Sequence, residues 1–159
     1  MKYIADLHVH SKYSRATAKN LDLENLYIAG QLKGITVLGT GDVTHPAWFK
    51  EIKEKLVPAE AGLFKLKIDI TRACRDRILE SCRRPVRFVL VSEISNIYKK
   101  NEKTRKNHNL VFFPDIESVE KFNQALDKIG NINSDGRPIL GLDARDLLEI
   151  SLEMSPGGF

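Results

Sequence analysis

Cysteine is scarce in this chain. Its 159 residues contain only Cys74 and Cys82, and neither belongs to a Cys-x-x-Cys pair. That excludes a disulfide-stapled scaffold and reads as reduced thiols in a cytoplasmic setting. On one expected helix the two thiols would sit about 80° apart around the axis and more than ~10 Å apart along it, too far to bridge. Long apolar runs are missing as well. No early segment resembles a signal peptide, and none reaches the roughly 20 residues of a membrane span. Internal repeats and low-complexity tracts are also missing. Charge of one sign is only mildly in excess, at a formal +4 and a pI near 9.1. Such a balance permits a polyanionic partner without requiring one. What remains is an ordinary soluble composition, 42% hydrophobic and 29% charged, long enough for one domain with a real core.

The pattern along the chain predicts alternating strands and helices. Lys2–Val9 reads as a short buried strand, followed by a polar connection over Ser11–Asn20. Leu21–Leu32 has helical apolar spacing and is ended by Gly34. Ile35–Gly39 is a second strand, and Pro46 suits the first turn of a helix running to about Leu56. Ile68–Arg83 reads as a helix stopped by Pro85, and Val86–Ser92 as the third strand. A very polar loop over Asn96–Asn107 precedes a fourth strand at Asn109–Phe113. Amphipathic helices follow at Ile116–Ile129 and Asp143–Leu152, separated by a turn region over Asn131–Arg137. Near-continuous apolar strands alternating with helices predict a largely parallel α/β architecture, with chemistry at the carboxyl ends of the strands.

Polar residues that can do chemistry sit at those ends. His8 and His10 in Asp6-Leu7-His8-Val9-His10 share one side of an extended strand, where two imidazoles can chelate one metal ion. Asp6 lies on the same side and could ligate or orient them. In Gly39-Thr40-Gly41-Asp42-Val43-Thr44-His45-Pro46, an apolar strand runs into glycines that let the backbone pass close to another segment. Asp42 then projects as a ligand or as a helix cap. Glu93 ends the third strand, where a carboxylate is costly unless paired or on a metal. His108 opens the fourth strand. If strands three and four form a hairpin, His108 and Glu93 occupy the same end of the sheet; if they run parallel, they do not. His and carboxylate without cysteine suits Zn²⁺, Mn²⁺ or Fe²⁺, and a shared carboxylate suggests a multinuclear hydrolytic site. The basic stretch Tyr98–Lys106 would overhang the site, either on a phosphate backbone or as a solvated loop. Arg72, Arg75, Arg77, Arg83 and Arg84 read as a solvated helix face, and Trp48 and Phe49 as core.

These residues resemble the PHP (polymerase and histidinol phosphatase) family, and most nearly its endonuclease Q branch. The resemblance rests on Asp6-Leu7-His8-Val9-His10-Ser11-Lys12-Tyr13-Ser14, on Gly39–Pro46, and on Gly136-Arg137-Pro138-Ile139-Leu140-Gly141. It implies an α/β fold that is part of a distorted (βα)7 barrel, mostly parallel, with a hairpin between the Glu93 and His108 strands. It implies two or three divalent metal ions, Zn²⁺ or Mn²⁺ first, with Mg²⁺ or Fe²⁺ as alternatives. His8, His10, Asp42, Glu93 and His108 would be their ligands, with Glu93 bridging and Glu93 and Asp42 the catalytic pair. Arg15, His45, Lys103 and Arg105 would touch substrate. The activity implied is phosphodiester hydrolysis in DNA, nicking 5′ of a deaminated or abasic nucleotide, with DNA as the partner of the full-length protein and no membrane. The alternatives are a PHP-type phosphatase on a small phosphomonoester, or an inactive or proofreading-like module. The family's later histidine motif and its final Asp-x-His pair have no counterpart here. Residues 1–159 are therefore expected to be the N-terminal portion of one PHP-type domain.

Overall fold

A long strand, Arg87–Lys100, is the spine to which most of the sheet is tied. The computed structural model describes residues 3–159, so Lys2, the first residue of the expected opening strand, lies outside the described residues. The strands are β1 (Ala5–Asp6), β2 (Val37–Gly39), β3 (Leu56–Pro58), β4 (Phe64–Leu66), β5 (Arg87–Lys100), β6 (Lys103–Phe113) and β7 (Ile139–Leu140). The helices are α1 (Leu23–Lys33), α2 (Pro46–Lys55), α3 (Ile68–Cys74), α4 (Ile116–Asp127) and α5 (Ala144–Met154). The sheet order is β1-β2-β5-β4-β3, with β6 and β7 also paired to β5.

The fold is α/β, but the sheet is mixed rather than mostly parallel. β1–β2, β2–β5 and β5–β7 run parallel, whereas β3–β4, β4–β5 and β5–β6 run antiparallel. The β3–β4 hairpin escaped the sequence reading because each strand has only three residues, Pro58 ends the first of them and Gly62 punctuates the turn between them. The opening strand is shorter than expected and exposed, because among the described residues β1 is an edge strand paired only with β2. Helix α3 stops at Cys74 and gives way to two short 3₁₀ turns, where Ile78 is buried and Leu79 exposed. A single inward apolar residue gives that stretch no stripe on which a longer helix could pack. Both cysteines are free thiols.

The expected polar loop is instead the outer half of a regular β-ribbon. β5 and β6 pair continuously from Leu90↔Phe113 to Lys100↔Lys103. Backbone pairing satisfies each N–H and C=O whatever the side chain, so hydrophilic residues can still extend a ladder. The turn is Asn101-Glu102, with φ of 52° and 60° at its two residues. Left-handed φ at both centres marks a type I′ turn, which favours Asn-Gly and strains a glutamate. Glu102→Gly should therefore stabilise the protein by about 1 kcal/mol, read as a melting temperature raised by roughly 2–4 °C.

The remaining elements follow their local signals. Asp22 caps α1 by accepting from the Asn25 N–H at 2.8 Å, and Gly34 ends it at φ 74°. Pro46 occupies the first turn of α2, while Asp115 and Asp143 cap α4 and α5. The core is filled by Trp48, Phe88, Phe113, Phe122, Leu126 and Leu147, each at most 2% exposed. Each such side chain contributes roughly 1.5–3 kcal/mol of burial. Trp48 is core as expected, and its indole N–H donates to the Gly41 carbonyl at 2.9 Å. No helix among the described residues is long and apolar enough to cross a membrane.

Candidate metal centre

Two glycines let the first histidine segment lie across the end of β2. A Cβ on Gly39 would come 2.7 Å from the Leu7 carbonyl oxygen, and one on Gly41 would overlap the Val9 carbonyl. Gly41 also takes φ 63°, which only glycine adopts without cost. Residues 7–10 therefore run past the carboxyl ends of β1 and β2 with backbone against backbone.

Three imidazoles converge there on one carboxylate. Glu93 is 3% exposed, on β5 beyond the stretch paired with β2. Its Oε2 lies 3.2 Å from His8 Nε2 and 3.1 Å from His10 Nε2, while its Oε1 lies 2.7 Å from His108 Nδ1. The β5–β6 hairpin supplies His108 opposite Ser95, two pairs outward from Glu93↔Leu110 and so on the same face. Antiparallel pairing thus brings His108 to the Glu93 end of the sheet. The ligand atoms of His8, His10 and Glu93 all lie within 4.8 Å of one another. Arg137, which sequence reasoning did not single out, brings Nη1 to 3.6 Å from Glu93 Oε2.

Asp42 is fully buried and does something different. Its Oδ2 accepts from the Ser11 N–H at 2.6 Å, the Ser11 hydroxyl at 2.7 Å and the Ser14 hydroxyl at 2.9 Å. Its Oδ1 sits 3.0 Å from His10 Nδ1. The backbone at Asp42 is left-handed, φ 51°, a conformation aspartate tolerates better than most residues. Behind it, a Cβ on Gly136 would overlap the Asp42 carboxylate and the Ser14 hydroxyl. Ser11, Ser14 and Gly136 belong to this arrangement although the sequence marked them only as parts of motifs.

The electrostatics call for a cation. The Asp42 hydrogen bond, opposed by burial and aided by Glu93, holds His10 above its ordinary pKa. Burial pushes the Glu93 carboxyl up, but His8, Arg137 and His108 together bring it below its usual range. With Nδ1–H given to Asp42, the Nε2 lone pair of neutral His10 points at a buried Glu93 oxygen that receives no hydrogen bond. Lone pair against carboxylate is repulsive until a proton or a metal ion stands between them. The donor set of imidazole and carboxylate therefore fits a divalent metal ion.

The other expected residues are placed elsewhere. Asp6 is exposed on β1. His45 stacks on Tyr13 at 4.5 Å, and burial lowers its pKa. Arg15 is 75% exposed and pairs with Asp135 at 3.2 Å. Lys103 and Arg105 sit on β6 in register with Lys100 and Tyr98. Alternation assigns them to the ribbon face that carries Leu90, Ile94, Val111 and Phe113 into the core. Contacts mark that face too, since Asn96 donates to the Leu142 carbonyl and Lys100 pairs with Asp143. Glu93 and His108 are on the opposite face, so register separates the two basic residues from the centre.

The loop carrying His10 and Ser14 is fastened by Glu51, which accepts from the Tyr13 hydroxyl at 2.8 Å and pairs with Lys12 at 2.7 Å. Burial pushes Glu51 up, but Lys12, Tyr13 and Lys55 bring its pKa below the usual range. A carboxylate depressed in the folded state contributes stability that is present above its unfolded pKa and lost as pH falls through its folded pKa. The stability gap between the wild type and Glu51→Gln should therefore be full near neutrality and close on acidification below about pH 4. Melting curves of both proteins across that range check it.

No protein-family model matches the chain. It is 32% identical over 146 residues to the uncharacterized protein MJ0043 of Methanocaldococcus jannaschii, over 91% of this chain and 14% of that protein. It superposes on the crystal structure of the novel lesion-specific endonuclease PfuEndoQ from Pyrococcus furiosus with a TM-score of 0.72 and 30% identity. That match covers 94% of this chain and 32% of the other. The structure of Endonuclease Q complexed with a 27-mer duplex substrate with an abasic lesion at the active site matches with the same TM-score, identity and coverage. The chain thus spans about a third of the length of the solved structures it resembles.

Proposed function

We propose that this chain carries the metal-binding part of a DNA-repair endonuclease of the endonuclease Q kind, in the PHP family, hydrolysing a phosphodiester 5′ of a deaminated or abasic nucleotide. The observation behind this reading is the convergence of His8, His10 and His108 on Glu93, whose buried Oε2 receives no hydrogen bond. The likeness to PfuEndoQ over 94% of the chain, at 30% identity, supports the choice of substrate. His8 and His10 through Nε2, Glu93 through both oxygens and His108 through Nδ1 would hold the ions. In place of the ligand role anticipated for Asp42, we assign it the task of fixing the His10 tautomer, because protein donors already occupy its oxygens.

Bound divalent ions supply Lewis acidity toward phosphoryl oxygens and a lowered pKa for water. The chain's own residues supply the rest. Asp42 keeps the proton of neutral His10 on Nδ1 and leaves Nε2 free. Glu93, fixed on β5, brings its negative charge to the point where cations are needed. Arg137, 39% exposed beside Glu93, offers a permanent positive charge to an entering phosphate.

Nicking of a duplex with a single abasic or deaminated nucleotide by the protein with added Mn²⁺ or Zn²⁺ tests this directly. Strand cleavage 5′ of the lesion and none in an undamaged duplex is the expected result. Turnover of a small phosphomonoester with no nicking would replace this reading with that of a phosphatase.

A further inference from the structure

The two faces of the β5–β6 ribbon lead to an assignment of where nucleic acid lies on this protein. We infer that the face shared with Glu93 and His108, through Lys106 and Lys99, is a binding surface for a phosphodiester backbone, and that the opposite face, which carries Lys100, Lys103 and Arg105, is not. This inference rests on the DNA reading above.

Register decides between the two faces. On β6, Lys106 is two residues beyond His108 and paired with Ile97; Lys99 is paired with Thr104, two steps further out. Side chains two apart on a strand share a face and are separated by about 7 Å. That is the scale on which successive phosphates are spaced along a nucleic-acid strand. Glu93, His108, Lys106 and Lys99 thus form one line running outward from the metal centre. Lys103 and Arg105 alternate to the other face, where Lys100 is already engaged by Asp143 at the start of α5. Neither Lys99 nor Lys106 forms an ion pair among the described residues, and both are exposed. Continuous pairing to the two-residue turn holds the ribbon's lysines in place, so little side-chain disorder has to be removed beyond their own rotamers.

The test compares two double variants of equal charge change in the full chain. One is Lys99→Gln with Lys106→Gln; the other is Lys103→Gln with Arg105→Gln. Fluorescence anisotropy with a duplex carrying one abasic site, repeated across a salt series, gives affinity and its salt slope. Each lost phosphate contact removes about 0.9 from the magnitude of that slope. The first pair should flatten it by about 2 and weaken binding on the order of tenfold at low salt, whereas the second should leave both within roughly twofold of wild type. Equal effects from the two pairs, or a larger effect from the second, would overturn the assignment while leaving the DNA reading intact. A wild-type protein that binds no duplex at all would remove the DNA reading itself. Coincident melting curves of all three proteins confirm that the exposed substitutions have not disturbed the ribbon.

Discussion

Glu93→Gln should abolish divalent-metal binding while leaving the fold in place. The substitution keeps the side chain's shape and removes the single negative charge on which His8, His10 and His108 converge. Changing an outer partner of a ligand already lowers metal affinity or activity about 10–100-fold, and loss of the shared carboxylate should exceed that. The fold should suffer less. Breaking a buried ion pair usually costs about 3–5 kcal/mol because a charge is left uncompensated. Here the partners are imidazoles, which can release a proton, and Arg137 is partly in water. Wild-type protein at a metal concentration of about 100 times its dissociation constant should gain roughly 2.7 kcal/mol, a rise of about 5–10 °C in melting temperature for a chain of this size. The variant should show no rise. Elemental analysis gives an independent readout, with bound metal in the wild type and none in the variant. Full metal occupancy in Glu93→Gln would remove Glu93 from the centre.

Much of this centre was legible in the sequence because strand ends are readable. His8 and His10 two residues apart, glycines before Asp42, and Glu93 after an apolar run all signal a strand meeting something polar. The hairpin that brings His108 beside Glu93 was legible only as a condition on topology, since sequence does not state the direction in which a strand pairs. What escaped depends on pairing and packing over long separations. The stretch Asn96–Asn107 has the composition of a loop, yet its backbone is a ladder because β5 and β6 continue in register through it. With the ladder came alternation, and alternation moved Lys103 and Arg105 away from the centre. Arg137 stands about 40 residues beyond Glu93 in a turn, and β7 places it by pairing Ile139 with Ser95. No local pattern encodes that approach. The mixed sheet has the same origin, because three-residue strands such as β3 and β4 carry too little periodicity to be seen.

The second large effect is expected at Asp42→Asn, and it separates orienting a ligand from being one. Asparagine tolerates the left-handed backbone at this position, so the conformation need not change. Its amide nitrogen, however, must face one of two sets of groups. Facing the Ser11 N–H, which lies 2.6 Å from the present oxygen, it sets donor against donor in a site with no exposure. Facing His10 Nδ1, now at 3.0 Å, it forces that nitrogen to accept. The His10 proton then moves to Nε2, the atom needed to face the cation. Either orientation leaves a buried group unsatisfied or a ligand in the wrong tautomer. Stability should fall by about 2–4 kcal/mol, or roughly 5–15 °C in melting temperature, and metal affinity by about 10–100-fold. Ser14→Ala removes only one of several donors to the carboxylate. It should cost about 1 kcal/mol and spare metal binding. The nitrogen chemical shifts of the His10 ring report the tautomer directly in the metal-free proteins. If Asp42→Asn kept the proton on Nδ1 and bound metal as tightly as the wild type, Asp42 would have no part in presenting His10. A variant that instead lost metal with the tautomer unchanged would return Asp42 to the ligand set.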